Sequence, residues 1–165
     1  MGRQANADQL HAEAAGLAVD TRGRLKVNEF FQTDLQHIYA AGDVIGFPAL
    51  ASTSMEQGRL AACHMFGIPF EHTPSLFPYG IYTIPEISMV GQTEETLTSR
   101  RVPYEVGIAK YSELAKSMML GDDAGMLKLL FDPKTRKLLG VHALGQRATE
   151  IIHICQAVLF YGGSV

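Results

Sequence analysis

The spacing of hydrophobic residues changes near the middle of the chain. Up to about Gly67, short apolar runs alternate with loops and one helical segment, which predicts part of an α/β layer with a parallel sheet. From about Leu76 onward, apolar and polar residues alternate with a period of two, which predicts an antiparallel α+β domain flanked by helices. Pro69 and Pro74 stop regular structure between the two regions. We therefore predict two domains, 1–72 and 73–165.

Three elements can be placed in the second region. The apolar runs 126–131 and 138–144 are separated by a turn-rich spacer and predict a β-hairpin. Thr93 is an N-cap candidate followed by acidic residues, which predicts a short helix ending near Arg101. A last helix is predicted from Ala148, with Glu150 compensating its dipole. Its apolar stripe should contain the following residues, with Ile152 widening it: Ile151, Ile154, Cys155, Val158 and Leu159.

Composition excludes several classes of protein. Hydrophobic residues make up 47% and charged residues 19%, so the chain has enough apolar material for a core. The net charge is −3 and the densest basic run, 134–137, falls in a predicted turn, so we expect no nucleic-acid partner. No apolar run approaches the roughly 20 residues that span a bilayer, so we expect no membrane association and a soluble, cytoplasmic protein.

Cysteine and histidine spacing does not indicate a metal or redox centre. Cys63 and Cys155 are far apart, and each lies in an apolar helical pattern, so both are predicted to be small buried residues. Glu150 and His153 make one Glu-x-x-His, but a bundle metal site needs a second such pair. No metal site is expected. The apolar segment 118–120 suits either a surface for a partner subunit or ordinary core filling.

The stretch with the clearest chemical content is the apolar run 38–41, which ends in Gly42 and Asp43. We predict that this run is a buried strand of a parallel sheet. Ligands of such sheets bind at the carboxyl ends of strands, where a carboxylate such as Asp43 accepts hydrogen bonds from sugar or polyol hydroxyls. By itself, Gly-Asp also suits an ordinary strand-to-loop turn.

A helix is predicted soon after this dipeptide, within 49–62. Thr53 and Glu56 have the spacing of a capping box, and Gly67 suits the helix end. The start of a helix offers unpaired N–H groups and partial positive charge, which favour an anion or an oxygen that becomes anionic. We predict that Asp43 and these N–H groups face the same ligand.

The order of these residues resembles the FAD domain of the pyridine nucleotide-disulfide oxidoreductase family. The family pattern is Thr, four residues, Ile or Val, an aromatic residue, Ala, any residue, Gly and Asp. Its places are filled here by Thr33, Ile38, Tyr39, Ala40, Gly42 and Asp43. Segment 2–6 resembles the end of the family's nicotinamide-nucleotide domain, and segments 81–91 and 140–145 resemble strands of its dimerisation domain.

The resemblance implies two cofactors, FAD and NAD(P), and a set of binding residues. Asp43 would accept hydrogen bonds from the ribityl chain of FAD. Backbone amides of the stretch that follows would lie against the flavin pyrimidine edge, where reduction places negative charge. That stretch consists of Ala49, Leu50, Ala51 and Ser52. Gly2 would contact the nicotinamide nucleotide, and residues 73–165 would form a homodimer.

The resemblance also implies an activity for the whole protein. Segments 25–28, 52–59, 103–107 and 148–156 are most similar to members that pass hydride between NADPH and NAD(+) through FAD. Lipoamide dehydrogenase and mercuric reductase are alternatives within the family, and a non-catalytic dimerisation module is the alternative for the isolated chain. No G-x-G-x-x-G, redox-cysteine pair or C-terminal His-Pro segment occurs in these residues. We therefore assign no catalytic residue and expect a C-terminal fragment that is inactive alone.

Overall fold

The computed structural model describes residues 5–70 and 76–165. The chain divides into two compact units, Met1–Pro74 and Ser75–Val165, here called the first and second units. The boundary predicted between residues 72 and 73 falls outside the described residues and stays a prediction. Gly2, the predicted nucleotide contact, also lies outside them.

Residues 5–70 of the first unit contain one long helix, α1 (Ala51–Met65), and three short 3-10 helices, Asp8–Leu10, Ala12–Ala15 and Gly42–Ile45. A small core lies among the loops and turns. Its buried members are Ala12, Leu17, Leu25 and Ala40.

The prediction of a strand over residues 38–41 is wrong within the described part of this unit. Tyr39 makes an isolated antiparallel bridge with Gln32, and Val19 makes another with Leu25. A strand in a parallel sheet requires a neighbouring strand that follows a crossover connection. Residues 5–70 contain no such neighbour, and the chain before Tyr39 folds back on it instead.

The predicted helix is present, but its predicted capping box is wrong. The N-cap is Leu50, which makes no side-chain hydrogen bond, and Thr53 lies inside the helix, 2% exposed. The predicted end at Gly67 is confirmed. Gly67 has φ of 65°, and the N–H groups of Gly67 and Ile68 donate to the carbonyls of His64 and Cys63, as in a Schellman motif.

The second unit contains the predicted antiparallel sheet, with strand order β1-β2-β5-β4-β3. The strands are β1 (Tyr79–Ile81), β2 (Ile87–Gly91), β3 (Glu105–Lys110), β4 (Met126–Phe131) and β5 (Leu138–Leu144). The predicted hairpin is confirmed as β4 and β5. Asp132 stabilises its turn, because its Oδ1 accepts the N–H groups of Lys134 at 2.9 Å and Thr135 at 2.7 Å.

Within residues 76–165, three α-helices accompany the sheet, α2 (Glu94–Ser99), α3 (Ala115–Leu120) and α4 (Ala148–Phe160), with one 3-10 helix, Tyr111–Glu113. The N-cap predicted at Thr93 is confirmed, because its Oγ1 accepts the N–H of Thr96 at 3.1 Å. In the described ranges, no helix has both the length and the apolar character needed to cross a membrane.

The start of α4 is confirmed, but the predicted place of Ile154 in its apolar stripe is wrong. Ile152 is 1% exposed and packs with Val90, Leu138 and Val141, whereas Ile154 is 69% exposed. The two isoleucines are about 200° apart around the helix, so they cannot face the same sheet. The sheet covers the Ile152 side of α4.

Candidate functional site

The turn that contains Asp43 is a 3-10 helix, Gly42–Ile45. Asp43 is exposed, while Val44 and Ile45 pack against the core of the first unit. The N–H of Leu25 donates to the carbonyl of Val44 at 2.9 Å, which ties the turn to the preceding loop. Asp43 is therefore an exposed residue on an anchored segment.

Hydrogen bonds of Thr33 fix the loop that precedes this turn. Its Oγ1 donates to the carbonyl of Ile38, at 3.0 Å, and accepts the N–H of Leu35, at 3.2 Å. Its own N–H also donates to the Ile38 carbonyl at 2.9 Å. These bonds close a tight loop, so the number of residues between Thr33 and Ile38 sets where Tyr39 and the turn begin.

The residues at the start of α1 are largely exposed. Its N-cap, Leu50, has an apolar side chain, and Ala49, Ala51 and Ser52 are all exposed. The first N–H groups of a helix have no partner inside the helix, and the Leu50 side chain does not cap them. Exposed donors at the positive end of a helix fit the oxygen-rich edge of a flavin.

The turn and the helix are joined directly. The Gly42 N–H donates to Oε1 of Gln57, in the second turn of α1, at 2.7 Å. Gly42 has φ of 83°, and a Cβ placed there would lie 3.1 Å from Oγ of Ser54. The sequence pattern did not identify Gln57. Gln57 lies four residues after Thr53 and three before Leu60, on one helix face. This spacing could have identified it.

An ion pair supports the loop between the turn and the helix. Nε of Arg24 donates to Oδ2 of Asp20 at 2.7 Å, and this hydrogen bond is the main reason that the pKa of Asp20 falls to about 2. A Cβ at Gly46 would lie 3.0 Å from Cδ of Arg24, so the loop passes close over the arginine stem. Glycine is therefore the residue that suits this approach, where φ is 99°.

His64 contacts two aromatic side chains of the first unit. His64 stacks on Phe30 with ring centroids 4.4 Å apart, and its Nδ1 lies 2.8 Å from the hydroxyl of Tyr39. Cys63 and Cys155 are half-buried free thiols, so the prediction that both are buried holds only in part. Desolvation raises the pKa of Cys155. Over the described ranges, no three His, Cys, Asp or Glu side chains gather as metal ligands.

The beginning of α4 is capped from a neighbouring loop. Oε2 of Glu86 accepts the Thr149 hydroxyl at 2.6 Å and the Thr149 N–H at 3.0 Å. Mainly because of the hydroxyl bond, the pKa of Glu86 lies below its ordinary value. Glu150 lies in the first turn of the helix, as predicted. These contacts hold α4 in place over the sheet.

The second unit has an apolar surface around α3. Met118, Met119 and Leu120 are 65%, 87% and 64% exposed, which decides against core filling. Beside them, a groove of about 700 Å³ lies between the α3 segment and α4, and Ile151 and Ile154 contribute to its lining. Exposed apolar side chains of this kind are typical of a surface that another protein covers.

Two family models match the chain. Residues 77–165 match the dimerisation domain of the pyridine nucleotide-disulphide oxidoreductases, and residues 1–58 match the pyridine nucleotide-disulphide oxidoreductase model. The chain belongs to this family. The matches confirm the predicted fold class, a fragment of an FAD-binding α/β domain followed by an α+β dimerisation domain. Family membership implies FAD and NAD(P) as cofactors.

The relatives include curated proteins and solved structures. A soluble pyridine nucleotide transhydrogenase of Mycobacterium tuberculosis is 58% identical over 99% of this chain, and one from an Enterobacter species is 53% identical over 96%. The HOCl-induced flavoprotein disulfide reductase RclA from Escherichia coli matches with a TM-score of 0.83 and 30% identity, over 99% of this chain and 38% of that one. The chain spans about 35% of the length of the curated relatives it matches.

Proposed function

We propose that the whole protein is an FAD-dependent oxidoreductase that transfers hydride between NADPH and NAD(+). The observation that carries this proposal is the 58% identity to a protein named soluble pyridine nucleotide transhydrogenase, over 99% of the chain. The identity to a flavoprotein disulfide reductase is 30% over the same share. This difference favours exchange between two nucleotides over reduction of a disulfide. A cytoplasmic location is part of the proposal, supported by the word "soluble" in the relatives' names.

Within this proposal, the first unit holds FAD at two places. Asp43 accepts hydrogen bonds from the ribityl chain, which suits an exposed carboxylate on an anchored turn. The backbone N–H groups of the stretch Ala49, Leu50, Ala51 and Ser52 stabilise negative charge at the pyrimidine edge. FAD, when bound, supplies the hydride-transfer chemistry. Gly2 contacts the nicotinamide nucleotide.

We also propose that residues 73–165 form a homodimer. The exposed apolar residues of α3 and the groove beside α4 support a covered surface. A non-catalytic assembly module is the second candidate for the isolated chain, because the same surface would still be present without the nucleotide-binding turns. A dimeric mass without yellow colour would favour that candidate, and stoichiometric bound flavin would exclude it.

The activity is tested on the full-length protein purified with its flavin. NADPH is mixed with the thionicotinamide analogue of NAD(+), whose reduced form absorbs at a different wavelength. We expect analogue reduction at a rate that depends on both nucleotides and needs no disulfide. Failure to reduce the analogue, together with rapid reduction of lipoamide or mercuric ion by the same preparation, would replace the proposal with one of the disulfide-reductase alternatives.

A further inference from the structure

The buried face of α1 contains two polar side chains in line with apolar ones. Thr53 is 2% exposed and Gln57 is 3% exposed, on the same face as Leu60 and Ala61. Taking an amide out of water costs free energy unless its groups find new partners. A hydrophobic side chain at residue 57 would avoid this cost, so the contacts of Gln57 indicate why an amide is there.

Within the described part of the first unit, only the oxygen of the Gln57 amide makes a hydrogen bond. Its Oε1 accepts the Gly42 N–H at 2.7 Å, across 15 residues of sequence. Its Nε2 has no hydrogen-bond partner among residues 5–70. The acceptor oxygen is therefore the part of Gln57 that the unit uses, and the group it binds is the backbone immediately before Asp43.

The bond acts on a turn with little freedom to shift. Gly42 has φ of 83°, and its α-carbon side approaches Ser54 so closely that an added Cβ would lie 3.1 Å from Oγ. Oγ of Ser54 already donates to the carbonyl of Leu50 at 2.8 Å. One side of Gly42 thus contacts the first turns of α1, while its N–H binds Gln57 in the same helix.

We propose that Gln57 is a positioning residue for the FAD site. By holding Gly42 against α1, it sets the spacing between the carboxylate of Asp43 and the exposed N–H groups at the helix start. These two groups contact different parts of FAD, so affinity depends on the distance between them as well as on their presence. This inference rests on the proposed function, since FAD is the ligand that Asp43 and the helix N–H groups are proposed to bind.

The test compares three substitutions in the full-length protein after removal and re-addition of FAD. Gln57→Met keeps the size but removes the acceptor, and Gln57→Glu keeps an acceptor oxygen at the same reach. Thr53→Val is the matched control, because it changes a side chain on the same buried face that makes no bond to Gly42. The measurements are the FAD dissociation constant, the midpoint potential of bound flavin and the thermal midpoint of the apoprotein.

We expect Gln57→Met to raise the dissociation constant about tenfold, because one buried hydrogen bond no longer fixes the turn. Its midpoint potential should become more negative, since the helix N–H groups stabilise negative charge on the flavin less well. Gln57→Glu should recover most of the affinity, and Thr53→Val should keep the wild-type affinity and potential. Gln57→Asn, too short to reach Gly42, should behave like Gln57→Met and replaces it if that variant does not fold.

A Gln57→Met protein with the wild-type dissociation constant and potential would overturn the inference, even if its thermal midpoint fell. Equal losses in Gln57→Met and Thr53→Val would also overturn it, because they would reflect general loosening of α1. A wild-type protein that binds no FAD would instead refute the proposed function.

Discussion

The two units of the chain are organised in different ways. In the second, five strands pair with one another, and Leu130 and Val141 are completely buried. In the first, isolated bridges and 3-10 turns surround one long helix, and residues 5–70 contain no strand of the kind that forms a sheet. An apolar run becomes a strand only beside a neighbour that shares its hydrogen bonds. The second unit contains such neighbours within residues 76–165, whereas the first is organised around a turn joined to a helix.

The core of the second unit should respond most strongly to truncation. We expect Leu130→Ala to lower the free energy of unfolding by about 2–5 kcal/mol, because it leaves a cavity in a fully buried position. Urea unfolding of the 165-residue chain measures the change. Leu114→Ala is the control, since Leu114 is 46% exposed and should lose less. Equal losses of unfolding free energy in the two variants would mean that burial does not determine the cost of truncation.

The carboxylate of the first unit should matter for ligand binding more than for folding. In the full-length protein, Asp43→Ala should weaken FAD binding by about 10-fold to 100-fold, as expected for lost hydrogen bonds to a charged group. The flavin content after gel filtration and the dissociation constant measure this effect. Asp34→Ala removes another exposed carboxylate from the same unit and should retain flavin. Unchanged flavin content in Asp43→Ala would count against the ribityl role.

Helix capping gives a smaller effect in the second unit. Thr93→Ala removes the acceptor of the Thr96 N–H, and we expect a loss of about 0.5–2 kcal/mol in unfolding free energy. Thr93→Ser keeps the hydroxyl and should retain most of the stability. The thermal unfolding midpoints of both variants measure the two effects. A Ser variant as unstable as the Ala variant would show that the methyl group, and not the cap, is responsible.

The smallest effect should depend on pH. The pKa of Glu86 is lowered in the folded protein by its bonds to Thr149, so its contribution to stability is present above the ordinary glutamate pKa. That contribution is lost as the pH falls through the lowered folded value. Glu86→Gln should therefore unfold at a lower temperature than wild type at neutral pH, and the difference should shrink in acid. A difference that is constant with pH would exclude the carboxylate charge as its cause.

Part of the candidate site could be predicted from residue order. The pattern from Thr33 to Asp43 placed a carboxylate after a short apolar run, and a helix was predicted within 49–62; the structure has both. The pattern did not identify Gln57, because its partner Gly42 is 15 residues away and no local spacing rule connects an amide to a backbone N–H. Thr53 was predicted as a cap because its spacing to Glu56 fits, yet it lies inside the helix on the buried face.

The sequence by itself determined the hairpin of β4 and β5, the cap of α2 and the start of α4, because turn residues and apolar periods act over a few neighbouring residues. It also determined the family, since the motif is a run of residue types. Only the tertiary structure decided that Ile152, and not Ile154, faces the sheet, and that Gln57 holds the turn of Asp43. These choices depend on which surfaces meet across the fold, and burial is a property of the packed unit.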